Sequence, residues 1–158
     1  QALEHAGIAL RHRVDRLRDL LAEFQVVPLF EDIDRLLTQT FGLQQTYRFF
    51  YADTLEIIRA YPVIQAAHQQ HIAWQVQQMY VALLFNQSRG AFSAEKQEGY
   101  NELLARQFWL IADLWIYRQS VQNMDTTDFS AFRNILWALF QPHFTDMGMR
   151  EFEQLGGG

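Results

Sequence analysis

The stretch from Ala60 to Ser88 constrains the fold of this chain more than any other, because it contains no Asp, Glu, Lys or Arg. Pro62 suits the first turn of a helix, where its missing N–H would have no helical partner in any case. No Gly and no further Pro follows before Gly90. These features predict one long helix of about 27 residues, which would span about 40 Å.

The apolar residues of this helix cover more than the single stripe that is typical of a surface helix. They form two rows, one of Ile64, Ile72, Val76, Met79 and Leu83 and the other of Ala67, Trp74, Val81 and Phe85. Neutral Gln and His fill the gaps, so the helix is either buried on most sides or faces a cavity that accepts hydrogen-bonding groups and excludes ions. A membrane span is disfavoured, because it needs about 20 consecutive mostly apolar residues and the Gln and His residues interrupt the run here.

The other segments also have helical spacing, and no strand-like alternation of useful length is present. Residues 1–24 place Leu10, Val14, Leu17, Leu21 and Phe24 on one face. A second segment begins at Pro28 and is interrupted by Gly42, and a third runs from Leu43 to Tyr61. After the long helix, Ser93 is the expected N-cap of the next one, and Asp125 or Thr126 caps the last, which kinks or ends at Pro142. A short turn from Asp146 to Leu155 and a flexible tail, 156–158, complete an all-α chain.

The length, the net charge and the Cys content of the chain limit the possible classes of function. The 158 residues fit one domain, 1–158, and the net charge of −5 comes from interspersed acids and bases, so this chain alone should not bind nucleic acid. The absence of Cys excludes disulfides and thiolate sites and is compatible with a cytoplasmic protein. Since the sequence opens on Gln1 without a Met, we expect a fragment of a longer protein.

Residues that could carry chemistry are sparse. His68 and His71 lie one turn apart on the long helix, but two ligands do not make a metal site, and core or cavity-lining histidines are the preferred interpretation. Phosphate-binding Gly-rich loops and a Ser nucleophile elbow are absent. We therefore expect no metal, no cofactor and no enzymatic activity.

The run from Phe108 to Tyr117 contains a single charge, Asp113. A helix that is apolar almost all round must be covered on both sides, and a second protein chain is the expected cover. Asp113 either faces solvent or is a polar anchor in a cavity or an interface. The aromatic set of Phe49, Phe50, Tyr51, Trp74, Phe85, Phe108 and Trp109 is either plain core or the lining of a ligand pocket.

The order of segments resembles the C-terminal regulatory domain of TetR-type transcriptional regulators. The similarity is carried by the segment 47–55 (YRFFYADTL), then 58–62 (IRAYP) before the long helix, and by the ending 138–145 (ALFQPHFT). It covers about residues 28–152. The long helix of relatives often carries Arg and Glu on its outer face, whereas this one carries Gln and His.

The resemblance implies an antiparallel bundle of about six helices that binds a small, mainly apolar molecule and forms a homodimer through its last two long helices. The regulator is expected to be a repressor. It would contact DNA only through an N-terminal helix-turn-helix unit, which is missing from this chain. On this basis the expected ligand residues are Phe49, Phe50, His71, Trp74, Gln78, Phe108 and Asp113. The expected dimer residues are Trp109, Trp115, Ile116, Phe132, Trp137 and Phe140. The alternative is a helical protein–protein interaction module without a small-molecule ligand.

Overall fold

A computed structural model of the chain describes residues 28–156 and, before them, positions 4, 5, 7, 8, 11, 12, 15, 16 and 19. The apolar face that was predicted for residues 1–24 lies outside the described residues, as do Gly157 and Gly158 of the predicted tail.

The described part of the chain is helical, which confirms the all-α prediction. The helices are α1 (Phe30–Thr46), α2 (Arg48–Ala52), α3 (Thr54–Ala60), α4 (Pro62–Ser88), α5 (Tyr100–Val121), α6 (Phe129–Phe140) and α7 (Asp146–Gly156), with a 3₁₀ turn at Gln141–His143. Within residues 28–156 the extended pairing is limited to one isolated antiparallel bridge, between Phe92 and Phe144. No helix in the part of the chain that the structure describes is long and apolar enough to cross a bilayer.

The long helix α4 begins and ends where its sequence predicts, with Pro62 in the first turn. The prediction that Gly42 interrupts the preceding helix is wrong, because α1 continues through it to Thr46. Gly42 is exposed, and a glycine inside a helix costs only about 1 kcal/mol relative to Ala, which the buried residues on either side offset. The break comes instead at Tyr47, and a second one at Asp53 separates α2 from α3.

Two predicted helix starts are also wrong. Ser93 does not cap α5, because its backbone N–H donates to the carbonyl of His143 at 2.8 Å and the helix begins after Gly99, which has a φ of 84°. The cap of α6 is Asp128, whose carboxylate accepts a hydrogen bond from the N–H of Ala131 at 3.0 Å. The segment predicted as a short turn near the C-terminus is the helix α7.

Helices α4 and α5 pack against each other, and α6 joins them to α1. The link between α1 and α6 is polar as well as apolar: Asp34 accepts hydrogen bonds from Arg133 Nε at 2.6 Å and from Trp137 Nε1 at 2.9 Å. Helix α7 packs closely against the segment after α4, where a Cβ on Gly148 would lie 2.1 Å from the carbonyl oxygen of Ala91. These contacts fix one side of the bundle and leave the long α4–α5 contact on the other.

Candidate functional site

The buried face of the first half of α4 is polar. His68, His71 and Gln75 follow one another at steps of three and four residues and are all buried, in line with Ile64 before them and Met79 after them. Apolar side chains on other faces of this helix are exposed, including Val63 and Ile72. This half of α4 thus reverses the usual arrangement, in which apolar side chains point inward.

Several buried polar atoms of α1, α4 and α5 have no hydrogen-bond partner among the described residues. Gln75 is 0% exposed, and neither its amide oxygen nor its amide nitrogen has such a partner. The same holds for Thr40 Oγ1 and Gln44 Oε1 in α1, and for the indole nitrogens of Trp109 and Trp115 in α5. Each buried polar group left in this state costs about 1–3 kcal/mol. Buried polar groups without a partner are rare in native proteins, so these groups need an explanation other than packing.

Gln44 connects α1 to the part of α5 that lies between the two Trp residues. Gln44 donates through Nε2 to the carbonyl of Ala112 at 2.7 Å. Ala112 lies three residues from Trp109 and three from Trp115, one helical turn in each direction. Gln44 is therefore in contact with α5 about one turn from each of the two Trp residues.

A groove opens to this region between α4 and α5. It has a volume of about 450 Å³ and is lined by Tyr51, Thr54, His68, Ile72, Val76, Leu103, Arg106, Gln107, Trp109, Leu110, Asp113 and Leu114. Most of these side chains are apolar, and a few polar groups converge among them, which is the usual composition of a small-molecule site. Trp109 links the groove to the interior, because it lines the groove and is yet only 2% exposed.

Acidic residues surround the two ends of the groove. A neighbouring cavity that shares Ile72, Val76 and Arg106 with it is lined by Glu95, Glu98 and Glu102. A second cavity, at the α3 end, adds Asp53 and Glu56. Among the described residues that line these three cavities, Arg106 is the one Lys or Arg, and it forms an ion pair with Glu102 at 2.9 Å. The approach to the groove is therefore negatively charged.

The structure places the seven predicted ligand residues in different environments. Asp113 lines the groove, Phe50 is buried with its ring 5.6 Å from that of the lining residue His68, and His71 is buried with its ring 6.0 Å from that of Trp74. Trp74 and Gln78 are half-buried on α4, and Phe49 is exposed. Phe108 instead stacks on Phe140 in the core, with ring centroids 5.3 Å apart.

His68, Tyr51 and Trp109 line the groove but are not in the ligand set expected from the sequence. The helical spacing could have indicated His68, since it lies one turn before His71 on the same helix face. Trp109 was assigned to a dimer interface, because no sequence signal distinguishes an indole that lines a groove from one that meets a second chain.

The six residues predicted at the dimer interface are covered within the single chain. Trp109, Trp115, Ile116, Phe132, Trp137 and Phe140 all belong to its buried core. These side chains have almost no surface left for a partner. A second chain would instead contact exposed residues of the same helices. Helix α5 offers a stripe of them at heptad-like spacing, named the α5 stripe below: Leu103, Leu110, Leu114, Tyr117 and Val121.

The titration shifts lie outside the groove. Desolvation by burial, with a smaller effect of Lys96, lowers the pKa of His143. Hydrogen bonds from the side chain and the backbone of Thr127 lower the pKa of Asp125. Among the described residues, no three His, Cys, Asp or Glu side chains are grouped so that they could hold a metal ion.

Comparison with known proteins gives two positive findings. The TetR family profile, described as a bacterial transcriptional repressor, matches residues 12–152. A crystal structure of a TetR-family transcriptional regulator from Marinobacter aquaeolei VT8 superposes with a TM-score of 0.80 at 15% identity, over 91% of this chain and 70% of that one. At this identity the likeness shows the fold alone. No curated protein matches the chain significantly.

Proposed function

The chain belongs to the TetR family of bacterial transcriptional repressors, and on that premise we propose that it is the small-molecule-sensing and dimerisation domain of such a repressor. In this proposal the ligand occupies the α4–α5 groove and contacts the polar face of α4. Its binding controls a helix-turn-helix DNA-binding unit that lies outside these 158 residues. The regulator acts on DNA in the cytoplasm and has no enzymatic role.

The observation that carries the sensing proposal is the buried polar face of α4 beside an apolar groove. A protein selected only for stability would fill this interior with apolar side chains, since each orphan polar group costs about 1–3 kcal/mol. Local choices that work against stability are expected at functional sites. A ligand that binds there supplies the missing hydrogen bonds and favours the conformation that it fits.

Tyr47 offers a route from the groove to His12, in the chain before α1. It lies at the junction of α1 and α2, and its hydroxyl contacts Nδ1 of His12, with the two rings 5.4 Å apart and edge-on. Helix α2 also carries Tyr51, which lines the groove. A ligand that displaces α2 would therefore move Tyr47 against the helix that holds His12, and the segment Arg11–Arg18 would pass this change to the DNA-binding unit.

The α5 stripe supports the dimer. Leu110 is 60% exposed and Tyr117 is 51% exposed, and the spacing of the stripe suits knobs-into-holes packing against a second helix. Leu103, Leu110 and Leu114 belong both to the stripe and to the groove lining. A second copy that covers the stripe would close the open side of the groove, so assembly and ligand binding would be linked.

The alternative is an interaction module that holds a partner protein and senses nothing. The same exposed stripe favours it, because an apolar helix face attracts any complementary helix. In that case the groove would be part of the protein interface. Small molecules would not stabilise the chain.

Isothermal titration and a thermal-shift screen over small apolar compounds test the sensing part. We expect at least one compound to raise the melting temperature and to bind with a stoichiometry of one per chain. A screen without stabilisation, together with a fully packed groove in an experimental structure, contradicts sensing and leaves the interaction module.

Sedimentation and the coding sequence test the other two parts. A monomer at micromolar concentration contradicts the homodimer. Translation of the sequence upstream of Gln1 tests the DNA-binding part. A start codon immediately before Gln1, or an upstream domain of another type, contradicts it.

A further inference from the structure

The outer face of α4 is exposed and carries no charge along its whole length. A helix surface that faces water usually carries charged side chains. In the part of the chain that the structure describes, α1 exposes Glu31 and Arg35, and α5 exposes Glu102 and Arg118. The 27 residues of α4 include no such side chain. Contact with water does not account for this face, and exposed faces of this kind mark protein–protein contacts.

The residues of this outer face recur along α4 at alternating steps of four and three. They are named the α4 stripe below: Val63, Ala67, Gln70, Trp74, Gln77, Val81, Leu84 and Ser88. Trp74 is half-buried and the others are exposed, whereas the buried residues of α4 lie on a different face. The mean step of about 3.5 residues is the repeat of two helices that pack along their length with knobs into holes.

We propose that the α4 stripe binds the same stripe of a second copy of this chain, with the two helices antiparallel. This interface is separate from the α5 stripe. It does not depend on the sensing function proposed above.

The order of side chains along the stripe is self-complementary in this orientation. A two-fold axis midway between Trp74 and Gln77 forms each layer twice, and the layers are Val63 with Ser88, Ala67 with Leu84, Gln70 with Val81, and Trp74 with Gln77. Each layer places an apolar side chain against a small or a neutral polar one. Parallel helices in register would instead place each residue against itself, so that two Trp74 rings would meet in one layer and two Ala67 methyl groups in another.

The distribution of charge favours a second copy over a partner of opposite charge. Each copy has a net charge of −5, so two copies repel each other, and the interface between them should add no pair of like charges. The α4 stripe meets this condition. A basic partner would instead be attracted by the acids that lie beside the groove, Glu95, Glu98 and Glu102, and none of these is on the stripe.

The contact should be weak. Gln70, Gln77 and Ser88 occupy positions at which stable helix pairs carry Leu, Ile or Val, and polar residues there lower the stability of the pair. We expect a Kd of about 10–100 μM. At micromolar concentration the copies would be joined by the α5 stripe alone. Pairing through α4 would then act between copies that are already held close together, where effective concentrations reach about 1 mM.

The variant Leu110→Glu isolates this contact, because it places a charge in the α5 stripe. Sedimentation equilibrium between about 1 μM and 1 mM should show a monomer that becomes a dimer within this range. Val81→Glu in the same background places two carboxylates in the interface and should raise the Kd at least about tenfold. Gln65→Glu is the matched control, because Gln65 is exposed on α4 but lies off the stripe, and it should change the Kd by less than about twofold.

Cysteine cross-linking tests the orientation in the same background. The chain contains no Cys, so one introduced Cys per copy reports on one contact. A mixture of Ala67→Cys and Leu84→Cys should form a disulfide-linked dimer under mild oxidation. Neither variant alone should do so, because antiparallel pairing separates the two copies of either residue by the rise of 17 helical residues, about 25 Å. Far-UV circular dichroism verifies that every variant is folded.

Three results would overturn the proposal. If folded Leu110→Glu stays monomeric up to about 1 mM, the stripe does not bind a second copy. If copies associate but Val81→Glu changes the Kd no more than Gln65→Glu does, they associate through another surface. If Ala67→Cys or Leu84→Cys alone cross-links as well as the mixture, the helices are not antiparallel. Each of these results leaves the sensing function as it stands.

Discussion

Replacing Gln75 by Leu should make the chain more stable, although the residue is completely buried. Most substitutions of buried residues destabilise a protein, by about 1 kcal/mol on average. The opposite sign is expected here because both amide atoms of Gln75 lack hydrogen-bond partners among the described residues. Leu has a similar volume and no polar atoms, so it removes the desolvation cost without opening a cavity.

The size of the effect follows from that cost. Removing an unsatisfied buried polar group is worth about 1–3 kcal/mol, and we expect the free energy of unfolding to rise by an amount in this range. For a domain of this size, each kcal/mol raises the melting temperature by about 2–4 °C. The shift should therefore be about 2–12 °C, well above the precision of calorimetry.

The assay is urea unfolding followed by tryptophan fluorescence and far-UV circular dichroism, with calorimetry as the second measurement. Protein concentration has to be identical for all variants, because dimerisation would add a concentration-dependent term to the apparent stability. An unchanged m-value would show that the gain does not come from the denatured state.

Gln119→Leu is the control with the opposite expected sign. Gln119 is buried in α5, but its Nε2 donates to the carbonyl of Asp125. Loss of this hydrogen bond should lower the stability by about 0.5–1.5 kcal/mol. If Gln75→Leu is as destabilising as Gln119→Leu, then Gln75 is hydrogen-bonded in solution, and the reasoning about orphan groups is refuted.

Three further predictions concern the bundle and its surface. Asp34→Ala removes the carboxylate that accepts two hydrogen bonds from α6, one of them within an ion pair, and should lower the free energy of unfolding by about 2–3 kcal/mol in urea; a loss below about 0.5 kcal/mol would contradict the link between α1 and α6. Gly148→Ala places a Cβ 2.1 Å from a backbone oxygen and should cost at least about 1–3 kcal/mol, whereas Gly42→Ala, in open space within α1, should stabilise by up to about 1 kcal/mol; equal effects of the two would refute the close approach of α7. Leu110→Glu should convert the dimer to monomer in sedimentation velocity, whereas Val63→Glu, which is 84% exposed on α4, should leave the dimer intact; a dimer that tolerates the first change does not use the α5 stripe.

The extent of α4 and the all-α class were predictable because they depend on local signals. Pro62 favours a helix start, and a long run without Gly or Pro leaves nothing that would end the helix early. The interruption at Gly42 was not predictable in this way, since an exposed glycine is compatible both with a helix and with a turn. Packing of the residues around it decided the outcome.

Which face of α4 points inward was not accessible from the sequence, because the usual rule assigns apolar residues to the interior. The rule failed at Ile72, which is exposed, and at Gln75, which is fully buried. The same rule could not tell which aromatic residues of α5 lie in the core and which line the groove, because both kinds recur with the same helical periodicity. Phe108 and Trp109 are adjacent in sequence, yet one stacks in the core and the other lines the groove.

The reversal of α4 becomes intelligible when both of its faces are considered together. Its apolar residues, Ile72 and Val76, form one wall of a groove whose other wall is α5, while its polar residues point into the bundle. A single packed core would stabilise such a helix poorly. A ligand that fills the groove would bury Ile72 and Val76 and so stabilise the apolar half of this arrangement, and its occupancy should therefore raise the melting temperature of the unaltered chain.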